Sequence, residues 1–191
     1  MAKVYVFLAD GFEDVEALIP VDVLRRGGLD VVTVSVMDDS QMVESAHGVT
    51  MLADALFDDC DFSDADLLLL PGGMPGASNL YAYEGLRKAL AGQREAGRLI
   101  AAICASPAVV LGQMGLLRGC RATCYPGFEH LLEGAEYTGE LCTVDGQTVT
   151  AEGPAAAFPF AYTLLALLRN EETAQQVATG MRYAHLMEGV A

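Results

Sequence analysis

The fold is decided by the stretch Arg98-Leu99-Ile100-Ala101-Ala102-Ile103-Cys104-Ala105-Ser106-Pro107. A short apolar run that meets small residues and a proline is typical of a buried parallel strand that turns directly into a helix. The run Asp66-Leu67-Leu68-Leu69-Leu70, which ends at Pro71-Gly72-Gly73, has the same character. Two strands of this kind predict a parallel sheet that is covered by helices on both faces.

The flanking sequence extends this pattern in both directions. β-Branched runs at Lys3 to Leu8 and Asp30 to Val36 enclose an amphipathic segment from about Val15 to Arg26, which predicts a β-α-β unit. Asp145-Gly146 predicts a hairpin turn. Further helices are predicted over four segments: about Glu84 to Ala96, Ala108 to Met114, Ala155 to Leu168 and Glu171 to Gly180. The whole chain, residues 1–191, is therefore predicted to be a single three-layer α/β/α sandwich with a doubly wound sheet.

Composition narrows the class of protein. The chain has 191 residues, 52% of them hydrophobic, and a formal net charge of -15. Such a charge repels phosphate backbones and anionic lipids, so neither nucleic acid nor a membrane is an expected partner. The amino terminus becomes acidic too early for a signal peptide, and no apolar run reaches the roughly 20 residues that span a bilayer. We expect a cytoplasmic protein.

The five cysteines are expected to be free thiols, because their number is odd and a chain of this length folds without disulfides. Cys120 and Cys124 have His130 nearby, but a tetrahedral zinc site needs four ligands and no second Cys/His pair follows. We therefore predict no metal site.

Three loops are expected to form the working site, since ligands bind at the carboxyl ends of parallel strands. They are Asp10 to Asp14, Pro71 to Gly76 and Cys104 to Ser106. A cysteine at the point where a strand becomes a helix points its sulfur at unpaired N–H groups, which favour the thiolate. The cysteine at this turn, Cys104, is accordingly the candidate nucleophile.

Four motifs occur in the order and spacing of one family. They are Glu13-Asp14-Val15-Glu16-Ala17-Leu18-Ile19-Pro20, Leu70-Pro71-Gly72-Gly73-Met74-Pro75-Gly76-Ala77, Ala101-Ala102-Ile103-Cys104-Ala105-Ser106-Pro107 and Ala151-Glu152-Gly153-Pro154. The chain resembles the ThiJ/PfpI superfamily from about Lys3 to Gly180, in the branch of YajL and the parkinsonism-associated protein deglycase. This resemblance implies a flavodoxin-like or class I glutamine amidotransferase-like fold.

The resemblance also implies roles for single residues. Cys104 would be the nucleophile, Glu16 the carboxylic acid beside it, and Gly72, Gly73 and Ala105 the backbone N–H donors around the sulfur. Glu16 helps only when it is protonated, because an ionised carboxylate next to the sulfur raises the thiol pKa. The resemblance implies a homodimer as well, with a face of the first helix in the contact.

One position departs from the family. Thr123-Cys124-Tyr125-Pro126 stands where close relatives often have a histidine, and Ala105 replaces the histidine that follows the cysteine in the protease-like branch. His47, His130 and His185 are expected to be solvated or structural. Protease and glutamine amidotransferase chemistry, which depend on a Cys-His pair, are thereby disfavoured. Tyr125, Glu152 and Pro154 are candidates for the substrate pocket.

Two functions remain open. In the first, the protein acts without a cofactor on dicarbonyls of the methylglyoxal class or on glycated protein side chains, through Cys104 and Glu16. In the second, oxidation of Cys104 makes it an oxidative-stress sensor or a redox-regulated chaperone. Thiamine-thiazole metabolism has no support in these residues. No cofactor is expected, since the sequence has neither a dinucleotide fingerprint nor a phosphate loop.

Overall fold

A computed structural model describes residues 1–190. Eleven strands are present in that part of the chain: β1 Lys3–Leu8, β2 Asp30–Ser35, β3 Met42–Glu44, β4 Thr50–Leu52, β5 Ala55–Leu56, β6 Leu67–Leu70, β7 Leu99–Ile103, β8 Arg121–Ala122, β9 Glu136–Tyr137, β10 Cys142–Asp145 and β11 Thr148–Ala151. The α-helices are α1 Asp14–Arg26, α2 Gly76–Ala82, α3 Glu84–Glu95, α4 Ala157–Leu168, α5 Glu171–Gly180 and α6 Tyr183–Val190.

Seven strands form the central sheet, in the order β10-β11-β7-β6-β1-β2-β5. All neighbours are parallel except the β10–β11 hairpin, which lies at one edge. The chain adds β2 and β5 on one side of β1 and then returns to add β6 and β7 on its other side. The predicted doubly wound, mostly parallel sheet is therefore confirmed.

Two apolar clusters cover the two faces of the sheet. Alternate residues of β1 show the separation, because Val4 and Val6 belong to one cluster and Tyr5 and Phe7 to the other. Helices α1 and α4 pack on the first face, and α2 and α3 on the second. This arrangement gives the three predicted layers.

The predicted helix from Ala108 to Met114 differs in form. Residues Pro107–Gly112 form a wider π-helix, in which the N–H of Gln113 reaches back five residues to the carbonyl of Ala108 at 3.2 Å. Turns of this kind are recurrent at functional sites. Here the wide turn follows directly after Cys104.

Several short elements were not predicted. The β3–β4 hairpin, strand β5, helix α2, helix α6 and the two-residue strands β8 and β9 carry too few residues, or too irregular an apolar pattern, to stand out in the sequence. Among residues 1–190, no helix combines the length and apolar character needed to cross a bilayer.

Candidate active site

The three predicted loops meet at one edge of the sheet, because β1, β6 and β7 are adjacent and parallel. Backbone hydrogen bonds lock the first two loops together: Glu13 N–H donates to Gly72 O at 3.0 Å, and Gly76 N–H donates to Gly11 O at 3.1 Å. Side chains carried by these two loops are thus held in fixed relation.

Cys104 occupies a sharp turn directly after β7. Its φ of +65° lies in the left-handed region that side-chain-bearing residues rarely adopt. The surrounding backbone imposes this conformation: Cys104 N–H donates to Ala151 O at 2.9 Å, and Cys104 O accepts from Tyr125 N–H at 2.8 Å. Only 9% of the surface of Cys104 is exposed, so most of the residue is shielded from solvent.

Glu16 lies in the first turn of α1 and is completely buried. One carboxyl oxygen, Oε2, accepts a hydrogen bond from Gly72 N–H at 2.9 Å. The other, Oε1, has no hydrogen-bond partner among the described residues. A buried carboxyl with one unused oxygen is costly for stability, and such groups concentrate at functional sites.

Gly72 is the point where Glu16 and Cys104 approach each other. A Cβ atom placed on Gly72 would come within 2.6 Å of both Cys104 Cβ and Glu16 Oε2. Real Cβ atoms do not tolerate such distances. The absence of a side chain at this position therefore lets the carboxyl and the thiol lie side by side.

The local environment raises the pKa of both groups. Burial raises the pKa of Glu16 to about 7, with a further contribution from the nearby Glu13 charge, against the lowering effect of its hydrogen bonds to Cys104 and Gly72. Burial, followed by the charge and hydrogen bond of Glu16, raises the pKa of Cys104 to about 12. The N–H groups of Gly73 and Ala105 lower the pKa of this thiol, but they do not outweigh the first two causes.

Two expectations about this site need correction. The sequence predicted a thiolate favoured by helix N–H groups, whereas burial and, after it, the charge of Glu16 raise the pKa of the Cys104 thiol to about 12. Gly72 was expected to donate to the sulfur, but its N–H is used by Glu16. The N–H groups of Gly73 and Ala105 lower the pKa of the Cys104 thiol, which is the direction expected of donors near the sulfur. The thiolate can form readily only when the proton has moved to Glu16.

The three candidate pocket residues lie together. Tyr125, Glu152 and Pro154 share a cavity of about 210 Å³, whose other lining residues are Pro126, Leu141, Gly153, Ala155 and Ala156. Cys104 is not one of the lining residues. The cavity nevertheless adjoins it, because the backbone of Tyr125 and that of Ala151, the neighbour of Glu152, are both bonded to Cys104.

A polar cluster beside the site was not predicted. Asp14 accepts from Ser45 Oγ at 2.7 Å and lies 2.6 Å from His47 Nδ1, which ties the β3–β4 hairpin to α1. The hydrogen bond and the charge of Asp14 raise the pKa of His47, whose side chain is exposed as expected. In the sequence, Asp14 shows only the signal of a helix-capping acid, and its partners are more than 30 positions away.

Metal-ligand candidates are few in the part of the chain that the structure describes. Glu13, Asp14 and His47 have donor atoms within 4.8 Å of one another. Each of the three already has a hydrogen-bond partner: Glu13 accepts from Glu16 N–H, Asp14 accepts from Ser45 Oγ, and His47 pairs with Asp14. These bonds account for the cluster without an ion. Cys120 instead accepts a hydrogen bond from Arg94 at 3.1 Å.

Comparisons with known proteins point to one family. The model of the DJ-1/PfpI family matches residues 2–167. Over 177 residues the chain is 42% identical to "Protein DJ-1 homolog B" of Arabidopsis thaliana; the match covers 92% of this chain but 40% of that protein, so the chain spans about two fifths of the length of this relative. It is 32% identical over 162 residues to "Glutathione-independent glyoxalase DJR-1.2" of Caenorhabditis elegans, with 84% of each chain covered.

Among solved structures, "Toxoplasma gondii DJ-1, oxidized" superposes with a TM-score of 0.91 at 38% identity. The superposition covers 95% of this chain and 98% of that one. The similarity therefore extends over nearly the whole chain.

Proposed function

The chain belongs to the DJ-1/PfpI family, and within it we propose a cofactor-independent enzyme that converts dicarbonyls of the methylglyoxal class into 2-hydroxy acids. The observation that carries this proposal is the pairing of a nucleophilic thiol with a buried carboxyl whose pKa is raised to about 7. A relative named as a glutathione-independent glyoxalase, with 84% of both chains covered, supports the same chemistry.

The Cys104–Glu16 pair holds the single proton that the first step has to transfer. Above pH 7 the pair retains one proton, held by Cys104 in the resting protein because the two pKa values are about 7 and about 12. Transfer of that proton to Glu16 creates the thiolate, which attacks the aldehyde carbon and forms a C–S bond. The carbonyl electrons move to oxygen, which takes the proton back from Glu16 and gives a hemithioacetal.

Glu16, now a carboxylate, acts as the base for the second step. It removes the hydrogen of the former aldehyde carbon, and the electron pair forms an enediolate whose negative charge lies on the former ketone oxygen. Protonated Glu16 then delivers that proton to the adjacent carbon. The hydroxyl proton on the sulfur-bearing carbon passes to the former ketone oxygen, which leaves a 2-hydroxy thioester on Cys104. Water cleaves the C–S bond, releasing the 2-hydroxy acid and restoring the thiol.

Purified protein incubated with methylglyoxal and no glutathione tests the proposal. We expect lactate to accumulate, Cys104→Ser to abolish turnover, and Glu16→Gln to lower kcat/KM by about 100-fold or more, the contribution typical of a positioned acid-base group. Equal consumption of methylglyoxal by the wild type, Cys104→Ser and buffer would refute it. Arginine or lysine adducts of methylglyoxal on a peptide serve as a second set of substrates. The same two groups, Cys104 and Glu16, would act on such glycated side chains.

Oxidation sensing is the second candidate, and the unused oxygen of Glu16 favours it. Attack of the Cys104 thiolate on peroxide forms an S–O bond, breaks O–O and releases water; a second peroxide gives the sulfinate. The N–H groups of Gly73 and Ala105, together with protonated Glu16 Oε1, would bind the sulfinate oxygens. Substoichiometric peroxide followed by peptide mass analysis tests this, and preferential oxidation of another cysteine would contradict it.

We also propose that two copies of the chain associate through α1. Val15 and Leu18 on this helix are 40% and 43% exposed, and the neighbouring hairpin exposes Met42 and Leu52. Exposed apolar side chains grouped on one face indicate a protein contact. Light scattering should give twice the chain mass for the wild type and a lower mass for Leu18→Glu; a monomeric wild type would refute the proposal.

A further inference from the structure

The cavity beside Cys104 has an unusual balance of charge. Seven of its eight lining residues are uncharged and mostly apolar, and the remaining one is Glu152. No lysine or arginine lines it. A substrate group that enters this space therefore meets a single carboxyl side chain and no basic one.

The backbone of Glu152 is fixed in relation to the thiol. Ala151, the preceding residue, accepts a hydrogen bond from Cys104 N–H at 2.9 Å, and Glu152 N–H donates to Leu141 O at 3.0 Å. Tyr125, which also lines the cavity, donates its backbone N–H to Cys104 O at 2.8 Å. The backbone of the nucleophile is thus hydrogen-bonded to one lining residue, Tyr125, and to the chain neighbour of another, Glu152.

The Glu152 carboxylate is available to a ligand. Within residues 1–190 it makes neither an ion pair with a basic residue nor a hydrogen bond to another side chain. An anion placed in this cavity would lose its hydration and face a like charge, whereas a cation would gain a partner in Glu152 and, over the ring of Tyr125, a cation–π contact.

From this arrangement we infer that Glu152 sets the charge selectivity of the site: carbonyl compounds with a cationic or neutral substituent are accepted, and those with a carboxylate are rejected. This inference rests on the proposed function for its substrates. It adds a specificity-determining residue that does not take part in the proton transfers.

Alkylation of Cys104 measures this selectivity without any turnover. Iodoacetamide and iodoacetate differ in charge but react with a thiol in the same way, and peptide mass analysis separates Cys104 from the other cysteines. We expect the ratio of the two rate constants, iodoacetamide over iodoacetate, to fall at least about fivefold in Glu152→Gln, because one like charge has been removed near the nucleophile. Glu136→Gln is the matched control, since it removes the same charge from an exposed strand residue outside the cavity.

Turnover provides the second measurement. Three arylglyoxals that carry a para trimethylammonium group, a para hydrogen or a para carboxylate should give decreasing kcat/KM in that order. In Glu152→Gln the ratio of kcat/KM between the trimethylammonium and the carboxylate compound should be at least about fivefold smaller than in the wild type. An unchanged alkylation ratio in Glu152→Gln, or an equal change in Glu136→Gln, would overturn the inference. If the ratio responds to Glu152 while no glyoxal is converted, the selectivity stands and the proposed enzymatic function fails.

Discussion

The backbone N–H of Gly72 donates to Glu16 Oε2 at 2.9 Å, so the strand beside the one that carries the nucleophile holds the carboxyl in place. Since Gly72 has no side chain, the same residue leaves the space through which this carboxyl reaches Cys104. One glycine therefore both orients the acid and permits its contact with the thiol.

Replacing Gly72 by alanine should separate the two groups. The added methyl would lie 2.6 Å from both Cys104 Cβ and Glu16 Oε2, so one of them has to shift. Because a misplacement of about 1 Å costs roughly 100-fold in rate, we expect Gly72→Ala to lower kcat/KM for methylglyoxal by about that factor. Steady-state kinetics on folded protein, verified by circular dichroism, measures it.

Gly92 provides the control for this substitution. It lies inside α3, and a Cβ placed there meets no atom within 4 Å. Gly92→Ala should leave kcat/KM unchanged and raise the free energy of unfolding by about 0.5–1 kcal/mol, since alanine favours a helix over glycine. Full activity in Gly72→Ala would show that close contact of the acid and the thiol is unnecessary.

The rate should depend on pH through Glu16. Because burial raises the pKa of this carboxyl to about 7, the doubly protonated pair predominates below that pH and lacks the carboxylate that takes the proton from the Cys104 thiol. We expect kcat/KM for methylglyoxal to rise about tenfold per pH unit below pH 7 and to level off above it. In Glu16→Gln the residual rate should lack this inflection; a profile that keeps it would assign the pKa to another group.

The central strands of the fold could be predicted from the sequence because they carry strong local signals. Lys3 to Leu8, Leu67 to Leu70 and Leu99 to Ile103 are short apolar runs with sharp ends, and the structure has strands at those positions. The order of the site loops followed from the topology, since parallel strands deliver their carboxyl ends to one edge. Motif resemblance then identified Cys104 and Glu16.

What could not be predicted depends on distant partners. The pairing of Asp14 with His47 joins residues 33 positions apart, and its sequence signal is only that of a helix-capping acid. Whether Gly72 N–H serves the sulfur or the carboxyl is decided by where α1 places the Glu16 side chain, 56 positions earlier in the chain. The balance that leaves the proton on Cys104 depends on burial, which residue types alone do not reveal.

The stability of the protein should carry the signature of Glu16. Its pKa in the folded state, about 7, lies above the 4.5 of an exposed glutamate, so between these values the folded state binds a proton that the unfolded state has lost. The contribution of Glu16 to stability is therefore greatest below pH 4.5, is lost as the pH rises to 7 and stays lost above it, a change on the order of 3 kcal/mol. Glu16→Gln removes this dependence.

Urea unfolding of the wild type and Glu16→Gln at pH 4.5 and pH 8 measures that difference. All other groups titrate in both proteins, so subtracting the two free energies of unfolding isolates residue 16. Between pH 4.5 and pH 8, the free energy of unfolding of the variant should rise by on the order of 3 kcal/mol relative to that of the wild type. A constant difference would mean that Glu16 is ionised in the folded protein at its ordinary pKa.

At the strained turn of Cys104, a glycine variant should be more stable than an alanine variant, which is the reverse of the usual order. Its φ of +65° costs a residue with a Cβ about 1 kcal/mol, whereas glycine adopts this conformation freely. We therefore expect Cys104→Gly to unfold at higher urea than Cys104→Ala, by about 1 kcal/mol in free energy. Ala102→Gly, two residues earlier in the extended part of β7, should instead be destabilising. If Cys104→Gly proved the less stable of the two variants at position 104, the turn would not store strain, and the nucleophile would need another reason for standing at this position.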